Sequence, residues 1–122
     1  MKHLITGVAG FIGSNLAREL INRGEEVIGI DCFTDYYSRA LKESNINDLL
    51  EKRNFNFIEG DLLTLDLKNI FKDVDYIYHQ AAQAGVRSSW GKNFEIYFRN
   101  NILLSKILLE AAIESNIKKF IY

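Results

Sequence analysis

The sequence lacks several features that would indicate other classes of protein. It contains no proline and one cysteine, Cys32, which cannot form an internal disulfide and therefore predicts a reducing, cytoplasmic compartment. Two histidines and one cysteine do not supply the four ligands of a structural zinc site. No apolar run approaches the ~20 residues needed to cross a bilayer. The 15 Lys and Arg nearly balance the 16 Asp and Glu, so no excess of basic charge favours a nucleic acid or an anionic membrane as partner.

What the sequence does contain is typical of one globular domain. Its 122 residues are 48% hydrophobic and 25% charged, which is sufficient for an ordinary core and unlike the composition of disordered chains. At this length a second complete domain is not expected, and we predict one domain over residues 1–122.

Short β-rich runs alternate with longer helical stretches along the whole sequence. Strands are predicted at residues 3–6, 26–31, 54–61, 75–80 and 118–122. Helices are predicted at residues 13–23, 38–53 and 93–115, with a short helix after an N-cap at Asp66. This alternation predicts an α/β fold, in which a parallel sheet carries helices on both of its faces.

The sharpest functional signal is the segment TGVAGFIGS at residues 6–14. Gly7, Gly10 and Gly13 follow a predicted strand directly and lead directly into a predicted helix. In such a turn one glycine permits the tight reversal, one lets the backbone approach a pyrophosphate, and one allows close packing of helix on strand. The N–H groups of the helix N-terminus then face the anion. A strand–helix turn without a ligand is the alternative, and the position at the first β–α junction makes it the less favoured one.

Asp31 closes the second predicted strand, where an acid in a doubly wound sheet can accept hydrogen bonds from the hydroxyls of an adenosine ribose. The same carboxylate would repel a 2′-phosphate, and no Lys or Arg follows before Arg39. NAD is therefore predicted in preference to NADP. A solvated acid at the end of a strand is the alternative.

Several other residues have a structural interpretation beside the functional one. Asp61 could meet an adenine amino group or merely form a turn. Ala81 and Ala82 follow the fourth strand, where small residues leave room for a dinucleotide or suit a tight loop. His79 lies within an apolar strand and is predicted to be a hydrogen-bonded core histidine rather than a general base. Cys32 has no second cysteine and no obvious base beside it, so we do not predict that it is a nucleophile.

Two loops add weaker candidates. Arg87, Ser88 and Ser89 could bind a phosphate, hydroxyl or carboxylate of a substrate, although exposed loop residues are commonly polar. Tyr36 and Tyr37 are expected to pack within their own loop, with contact to the ribose or the adenine as the alternative.

Together these residues resemble the extended short-chain dehydrogenase/reductases, specifically the NAD-dependent nucleotide-sugar epimerases and dehydratases. The matching segments are TGVAGFIGS, GIDCFTDYY, GDL, HQAAQAGVRSS and YFRNN, in this order along the chain. Within that family the second and fourth segments look most like UDP-glucuronate 4-epimerases and the close UDP-hexose epimerases. The resemblance implies a Rossmann-type fold with the strand order 3-2-1-4-5.

The resemblance also implies how NAD is held, with the backbone amides of Phe11 and Ile12 at the pyrophosphate and the carboxylate of Asp31 at the adenosine ribose. The implied cofactor-binding residues are Gly7, Gly10, Phe11, Ile12 and Gly13 in the glycine-rich turn, Asp31, Cys32, Phe33, Asp35 and Tyr36 around the adenosine, Asp61 and Leu62 beside the adenine, Ala81, Ala82 and Gln83 on the nicotinamide side, and Asn100, which approaches from the long helix.

One feature of the family is absent from these 122 residues. Members use a Tyr-x-x-x-Lys pair in which the tyrosine acts as base, and no tyrosine here is followed four residues later by a lysine. We therefore expect the chain to be the N-terminal part of one NAD(P)-binding domain, truncated after the fifth strand and without the later strands, the Tyr-x-x-x-Lys helix and a substrate domain. No catalytic residue is assigned, and the chain alone is predicted to be inactive.

The favoured hypothesis is the NAD-binding portion of a UDP-sugar 4-epimerase, an isomerase that in its intact form transfers hydride reversibly at C4 of the sugar. A fragment of a nucleotide-sugar 4,6-dehydratase and a free-standing dinucleotide-binding module without catalysis are the alternatives. A methyltransferase that uses S-adenosylmethionine would share the α/β layout, but it explains neither the glycine spacing nor the segment AAQAG. The resemblance also implies a homodimer that forms through the helix at residues 93–115.

Overall fold

Five parallel strands form the centre of the molecule, which a computed structural model describes over residues 1–122. The strands are β1 (Lys2–Thr6), β2 (Glu26–Asp31), β3 (Phe55–Glu59), β4 (Tyr76–His79) and β5 (Lys119–Ile121). Every neighbouring pair is parallel, and the order across the sheet is β3-β2-β1-β4-β5. The α/β class and the strand order expected from the sequence are therefore confirmed.

Helical segments connect the strands. The α-helices are α1 (Phe11–Asn22), α2 (Arg39–Ile46), α3 (Leu67–Ile70), α4 (Phe94–Tyr97) and α5 (Leu104–Ile113), and a π-helical segment, Phe98–Leu103, joins α4 to α5. Short 3-10 turns are formed by Phe71–Asp73, Arg87–Ser89 and Gly91–Asn93. None of the helices combines the length and the apolar character that crossing a membrane requires.

The sheet carries a separate apolar core on each face. Because successive side chains of a strand point to opposite faces, neighbouring residues of β1 belong to different cores. Ile5 packs with Leu20 under α1 and α2, whereas Leu4 packs with Phe71 and Leu108 under α3 and α5. Full burial of one such side chain contributes about 1.5–3 kcal/mol to stability, so helices are held on both faces, as the alternating pattern predicts.

Gly24 forms the C-terminal stop of α1. Gly24 adopts a left-handed φ of +81° directly after the helix. Its N–H donates to the carbonyl of Ile21 at 2.9 Å, and the N–H of Glu25 donates to the carbonyl of Leu20 at 3.1 Å. This pair of bonds is a Schellman motif, which satisfies two carbonyls that the helix end leaves open. The predicted cap of α3 is also present, since Asp66 accepts the N–H of Asn69 at 3.2 Å.

Two helical predictions need correction. The predicted helix at residues 38–53 ends at Ile46, because the N–H of Leu49 turns back to the carbonyl of Ile46 at 2.9 Å and brings the Leu49 side chain into the core. The predicted helix at residues 93–115 is helical from Phe94 to Ile113, but it is interrupted by the π-helical segment. Such segments occur frequently at functional sites, because they rotate the residues that follow relative to those before.

Candidate functional site

A cavity of ≈ 580 Å³ opens beyond the carboxyl ends of β1, β2 and β4. This edge is where open α/β sheets bind ligands. The predicted cofactor residues that line it are Gly7, Gly10, Phe11, Ile12, Gly13, Asp31, Cys32, Tyr36, Asp61, Leu62, Ala81, Ala82, Gln83 and Asn100. The structure thus brings together residues that are distributed over almost the whole sequence.

The three glycines of the turn between β1 and α1 fit three different constraints. Gly7 has a left-handed φ of +69°, and a Cβ atom there would lie 2.8 Å from the backbone of Ala81. A Cβ atom on Gly13 would collide with the carbonyl of Gly7 and the backbone of Val8. Gly10 has an extended backbone that any residue can adopt, with φ −75° and ψ 168°. The first two glycines are therefore required by conformation and packing.

Gly10 differs because its missing side chain leaves space beside the cavity. A Cβ atom on Gly10 would meet the carbonyl of Gly7 at 3.2 Å and the hydroxyl of Tyr37 at 3.9 Å. No side chain caps α1, and the N–H groups of Phe11 and Ile12 donate to no group of the protein. Both residues are exposed, by 79% and 64%. The turn therefore presents free backbone donors and the positive end of the helix dipole to the cavity.

Asp31 lies at the carboxyl end of β2 and is fixed by two backbone donors. Its Oδ2 atom accepts the N–H of Ala9 at 3.0 Å, and its Oδ1 atom accepts the N–H of Phe33 at 2.9 Å. Each carboxylate oxygen has a second lone-pair site that these bonds leave open. Asn45 of α2, which also lines the cavity, holds the same turn, since its Nδ2 atom donates to the carbonyl of Ala9 at 2.9 Å.

Thr6 organises the opposite wall of the cavity. Its Oγ1 atom accepts the N–H groups of Gln80 and Ala81, both at 3.1 Å. Its hydroxyl proton is therefore directed to Nδ1 of His79, 2.7 Å away. The loop that follows β4 is thus anchored to the last residue of β1, which places Ala81 beside the glycine-rich turn.

His79 is a fully hydrogen-bonded core residue, as predicted. Nδ1 accepts from Thr6, and Nε2 lies 3.0 Å from the hydroxyl of Ser105, which itself donates to the carbonyl of Asn101 at 2.8 Å. This chain of bonds requires a neutral ring with its proton on Nε2. Burial lowers the pKa of His79 below its usual value, because desolvation disfavours the imidazolium. His79 therefore has no lone pair available for general base chemistry.

The π-helical segment brings two consecutive asparagines to the site. Asn100 lines the cavity, as the resemblance implies. Asn101, which the sequence analysis did not single out, grips the backbone of Gln83: its Oδ1 atom accepts the N–H at 2.7 Å and its Nδ2 atom donates to the carbonyl at 3.0 Å. The bonded amide thus positions the loop from Ala81 to Gln83 against the long helix.

Several predicted residues do not line the cavity. Phe33 has a positive φ of 51° and packs edge-on against Phe57, with the guanidinium of Arg39 4.4 Å from its ring centroid. Asp35 is exposed in the loop. Arg87, Ser88 and Ser89 form a 3-10 turn and do not line the cavity; Ser88 pairs with the hydroxyl of Tyr97, and Ser89 donates to the carbonyl of Val86 at 2.6 Å. Among these residues, which do not line the cavity, only Phe33 is hydrogen-bonded to Asp31, through its backbone N–H.

The cavity also contains residues that the sequence analysis did not assign to it. They are Ile30, Thr34, Tyr37, Leu41, Lys42, Asn45, Gly60, Gln80, Ala84 and Leu104. For Tyr37 the sequence favours packing within its own loop, with contact to the ribose or the adenine only as the alternative. Leu41, Lys42 and Asn45 share one face of α2 because they are separated by one, three or four residues. That spacing indicates from the sequence that the three residues lie together on α2, but it does not show that their face of the helix meets the cavity.

The charges around the site are unevenly compensated. Arg39 is drawn away from the cavity, since its guanidinium makes a two-point ion pair with Glu59, at 2.8 and 2.9 Å, and a further one with Glu43. These bonds raise the pKa of Arg39. Asp61 accepts a hydrogen bond from the N–H of Leu63 at 2.9 Å and lies 3.6 Å from the guanidinium of Arg99.

No group of three or more His, Cys, Asp and Glu side chains is arranged to hold a metal ion.

Comparison with known proteins gives consistent results. The model of the NAD dependent epimerase/dehydratase family matches residues 3–122. The uncharacterized UDP-glucose epimerase YtcB of Bacillus subtilis (strain 168) is 46% identical over 123 aligned residues, which cover 100% of this chain and 39% of YtcB. UDP-glucuronate 4-epimerase 6 of Arabidopsis thaliana is 43% identical, over 93% of this chain and 25% of that protein.

Among solved structures, the UDP-glucuronic acid 4-epimerase of Bacillus cereus, in complex with UDP-glucuronic acid and NAD, superposes with a TM-score of 0.95 at 45% identity. The superposition covers 98% of this chain and 38% of that enzyme. The chain therefore spans about two-fifths or less of the length of these relatives, of which it matches an N-terminal portion.

Proposed function

The chain belongs to the NAD dependent epimerase/dehydratase family, and from this premise we propose that it binds NAD in the cavity at the carboxyl ends of β1, β2 and β4. The observation that carries the proposal is the combination of Gly10, whose missing side chain leaves the backbone accessible, with the free N–H groups of Phe11 and Ile12 beside it. Backbone donors at a helix N-terminus bind phosphate groups without any charged side chain.

The residues present fit a dinucleotide along the length of the cavity. The turn at Gly10 would hold the pyrophosphate, and Asp31 would accept hydrogen bonds from the adenosine ribose through the lone pairs that Ala9 and Phe33 leave open. On the far side, Ala81 and Ala82 leave space for the nicotinamide half. Gly7 and the Thr6 hydroxyl hold these two walls together.

We further propose that the chain is the NAD-binding part of a UDP-sugar 4-epimerase. The proposal is supported by the identity of 43–46% to proteins that are named as UDP-glucose or UDP-glucuronate epimerases. Bound NAD would supply reversible hydride transfer at C4 of the sugar. The residues described above would bind and orient the cofactor, and none of them supplies the base that must take the hydroxyl proton.

The absence of a base within the chain also defines the second candidate function, a dinucleotide-binding module without catalysis. His79 uses both ring nitrogens in hydrogen bonds. No Tyr-x-x-x-Lys pair occurs in the 122 residues. A 4,6-dehydratase remains the third candidate, since the family includes both reactions and the cavity residues would serve either.

The outer face of the long helix supports the proposed homodimer. Phe94, Ile96, Phe98, Ile102 and Leu109 expose between 42% and 55% of their surface. Exposed apolar side chains grouped along one helix are typical of a protein interface, and we propose that a second copy of the chain covers them. The exposed thiol of Cys32 is compatible with the proposed cytoplasmic location.

The NAD site is tested by the amide signals of the isotopically labelled chain during an NMR titration with NAD. We expect the largest shift changes at Phe11, Ile12, Asp31 and Ala81, and none in a Gly10→Val variant. Changes confined to residues away from the cavity would contradict the assignment.

The epimerase proposal needs a separate assay, in which the protein in its complete natural reading frame is incubated with UDP-glucuronate or UDP-glucose and examined for the C4 epimer.

A further inference from the structure

Lys42 is a buried cation at the end of the cavity where Asp31 lies. Only 5% of its surface is exposed, although lysine is rarely buried to this degree. It extends from α2 to the loop that follows β2, and it lines the cavity together with Asp31, Cys32 and Thr34. Along the sequence Arg39 is the first basic residue after Asp31, and only the fold brings Lys42 to the same end of the cavity.

The ammonium group of Lys42 is only partly satisfied by the protein. Its Nζ atom donates to the carbonyl of Thr34 at 2.6 Å and to Oγ1 of Thr34 at 3.1 Å, and it lies 4.9 Å from the centroid of the Tyr37 ring. An ammonium group has three donors, so one remains without a protein acceptor. Lys42 takes part in no ion pair of the structure, so no carboxylate of the protein neutralises it directly.

The charge of Lys42 acts on the immediate surroundings of Asp31. The thiol of Cys32, the next residue along the chain, has its pKa raised chiefly by partial desolvation and then by the carboxylates of Asp31 and Asp61, while Lys42 opposes this rise. Negative and positive charges therefore act on the same end of the cavity. The ammonium of Lys42 has no anionic partner in the protein, and an anionic ligand in the cavity would supply one through a charge-assisted hydrogen bond.

We propose that Lys42 is a specificity-determining residue of the cofactor site, which attracts a phosphate on the 2′ oxygen of the adenosine ribose and so weakens the discrimination against NADP that Asp31 imposes. This inference rests on the proposed NAD site. Asp31 repels the 2′-phosphate, and Lys42 supplies the compensating charge. The protein then accepts NADP with reduced affinity instead of excluding it.

The experiment measures the dissociation constants of NAD and NADP by calorimetry for the 122-residue chain and for Lys42→Met. We expect the ratio of the NADP to the NAD constant to rise at least about tenfold in the variant, the effect of losing one charge-assisted hydrogen bond. Lys42→Arg should keep the ratio near that of the unmodified chain. Lys52→Met removes an exposed lysine outside the cavity and serves as the matched control, with no change expected.

Two further variants keep the test decisive. Asp31→Asn removes the repulsion, so NADP binding becomes measurable even if it is too weak in the unmodified chain, and the tenfold effect should reappear between Asp31→Asn and Asp31→Asn/Lys42→Met. Lys42→Gln removes the charge, but its side chain can still donate to the carbonyl of Thr34. This variant replaces Lys42→Met if Lys42→Met does not fold.

The outcomes separate this inference from the proposed function. If NAD binds and the ratio of the NADP to the NAD dissociation constant is the same with and without the Lys42 charge, the inference is wrong. Lys42 then only anchors the loop at Thr34, and the proposed NAD site is unaffected. If neither dinucleotide binds to the unmodified chain or to Asp31→Asn, the proposed function and the inference both fail.

Discussion

The carboxylate of Asp31 accepts the backbone N–H of Ala9, with 3.0 Å between Oδ2 and N. This bond joins the last residue of β2 to the glycine-rich turn between β1 and α1. The acid that would hold the adenosine ribose therefore also fixes the turn that would hold the pyrophosphate. Both parts of the site are in place before any ligand binds, which lowers the cost of ordering them on binding.

The first prediction concerns Asp31→Ala. We expect the variant to bind NAD more weakly by about 1.5–3 kcal/mol, the contribution of hydrogen bonds to a charged group. It should also melt at a lower temperature, because the N–H groups of Ala9 and Phe33 lose their acceptor. Calorimetry well below the melting temperature measures the binding, with Asp35→Ala in the same loop as control. Unmodified protein that binds NADP as tightly as NAD would refute the role given to Asp31.

The second prediction separates the roles of the glycines. Gly10→Val should retain the circular dichroism of the fold, since φ is −75°, but it should lose dinucleotide binding. Gly7→Ala should destabilise the fold by at least about 1–2 kcal/mol, the cost of a left-handed conformation, in addition to its clash with Ala81. Gly24→Ala, at φ +81° with open space around it, should lower stability without affecting binding. Unchanged affinity in Gly10→Val would mean that the turn is purely structural.

These variants also show what the sequence could and could not reveal. The α/β alternation and the glycine turn were predictable, because buried strands, glycine spacing and an acid at a strand end are local patterns, whereas the strand order came from the family resemblance. Lys42 and Asn101 were not, because their roles depend on which helix face meets the cavity. Phe33 was expected at the cofactor, but its positive φ turns the ring onto Phe57. The loop after β2 does border the cavity through Cys32, Thr34 and Tyr36, whereas the orientation of each side chain within it is a tertiary property.

The third prediction uses the lowered pKa of His79. The folded protein disfavours the charged ring, so the unfolded chain takes up this proton at a higher pH than the folded chain does. The stability contributed by the neutral ring is present above the unfolded pKa of about 6.5 and is lost as the pH falls below it. The free energy of unfolding should therefore decrease from pH 7.5 to 5.5, by no more than about 1.4 kcal/mol per pH unit for this one group.

Denaturant unfolding of His79→Gln beside the unmodified chain isolates this contribution. The variant should show the shallower dependence on pH, while other groups titrate equally in both proteins. Carboxylates with lowered pKa values, such as Asp48 and Asp75, lie outside this pH range. Parallel curves for the two proteins would show that His79 takes up its proton equally in the folded and unfolded states.

The fourth prediction addresses the apolar face of the long helix. The chain should self-associate at micromolar concentration through this face. Ile102, which is 55% exposed, should be buried in the interface, where a side chain of its size contributes about 1.5–3 kcal/mol. Ile102→Glu should therefore shift sedimentation towards the monomer, whereas Lys52→Glu, at an exposed lysine outside this helix, should not. A stable monomer of the unmodified chain would contradict the proposed homodimer.

The fifth prediction is that the 122-residue chain, even with NAD, does not epimerise UDP-glucose, UDP-galactose or UDP-glucuronate. Transfer of hydride from a sugar alcohol needs a base for the hydroxyl proton. Both nitrogens of the His79 ring are already bonded, and no Tyr-x-x-x-Lys pair is present. Detection of the C4 epimer above a control without protein, and its loss in Asp31→Ala, would demand a base that has not been identified in these residues.

The central claim is that the cavity beside Gly10 and Asp31 is a dinucleotide site, and calorimetric titration of the unmodified chain with NAD tests it most directly. The account predicts one NAD per chain, competition by ADP-ribose, which carries the same pyrophosphate and adenosine, and no binding by Gly10→Val. Absence of binding by the folded, unmodified chain, or binding that ADP-ribose does not reduce, would contradict it.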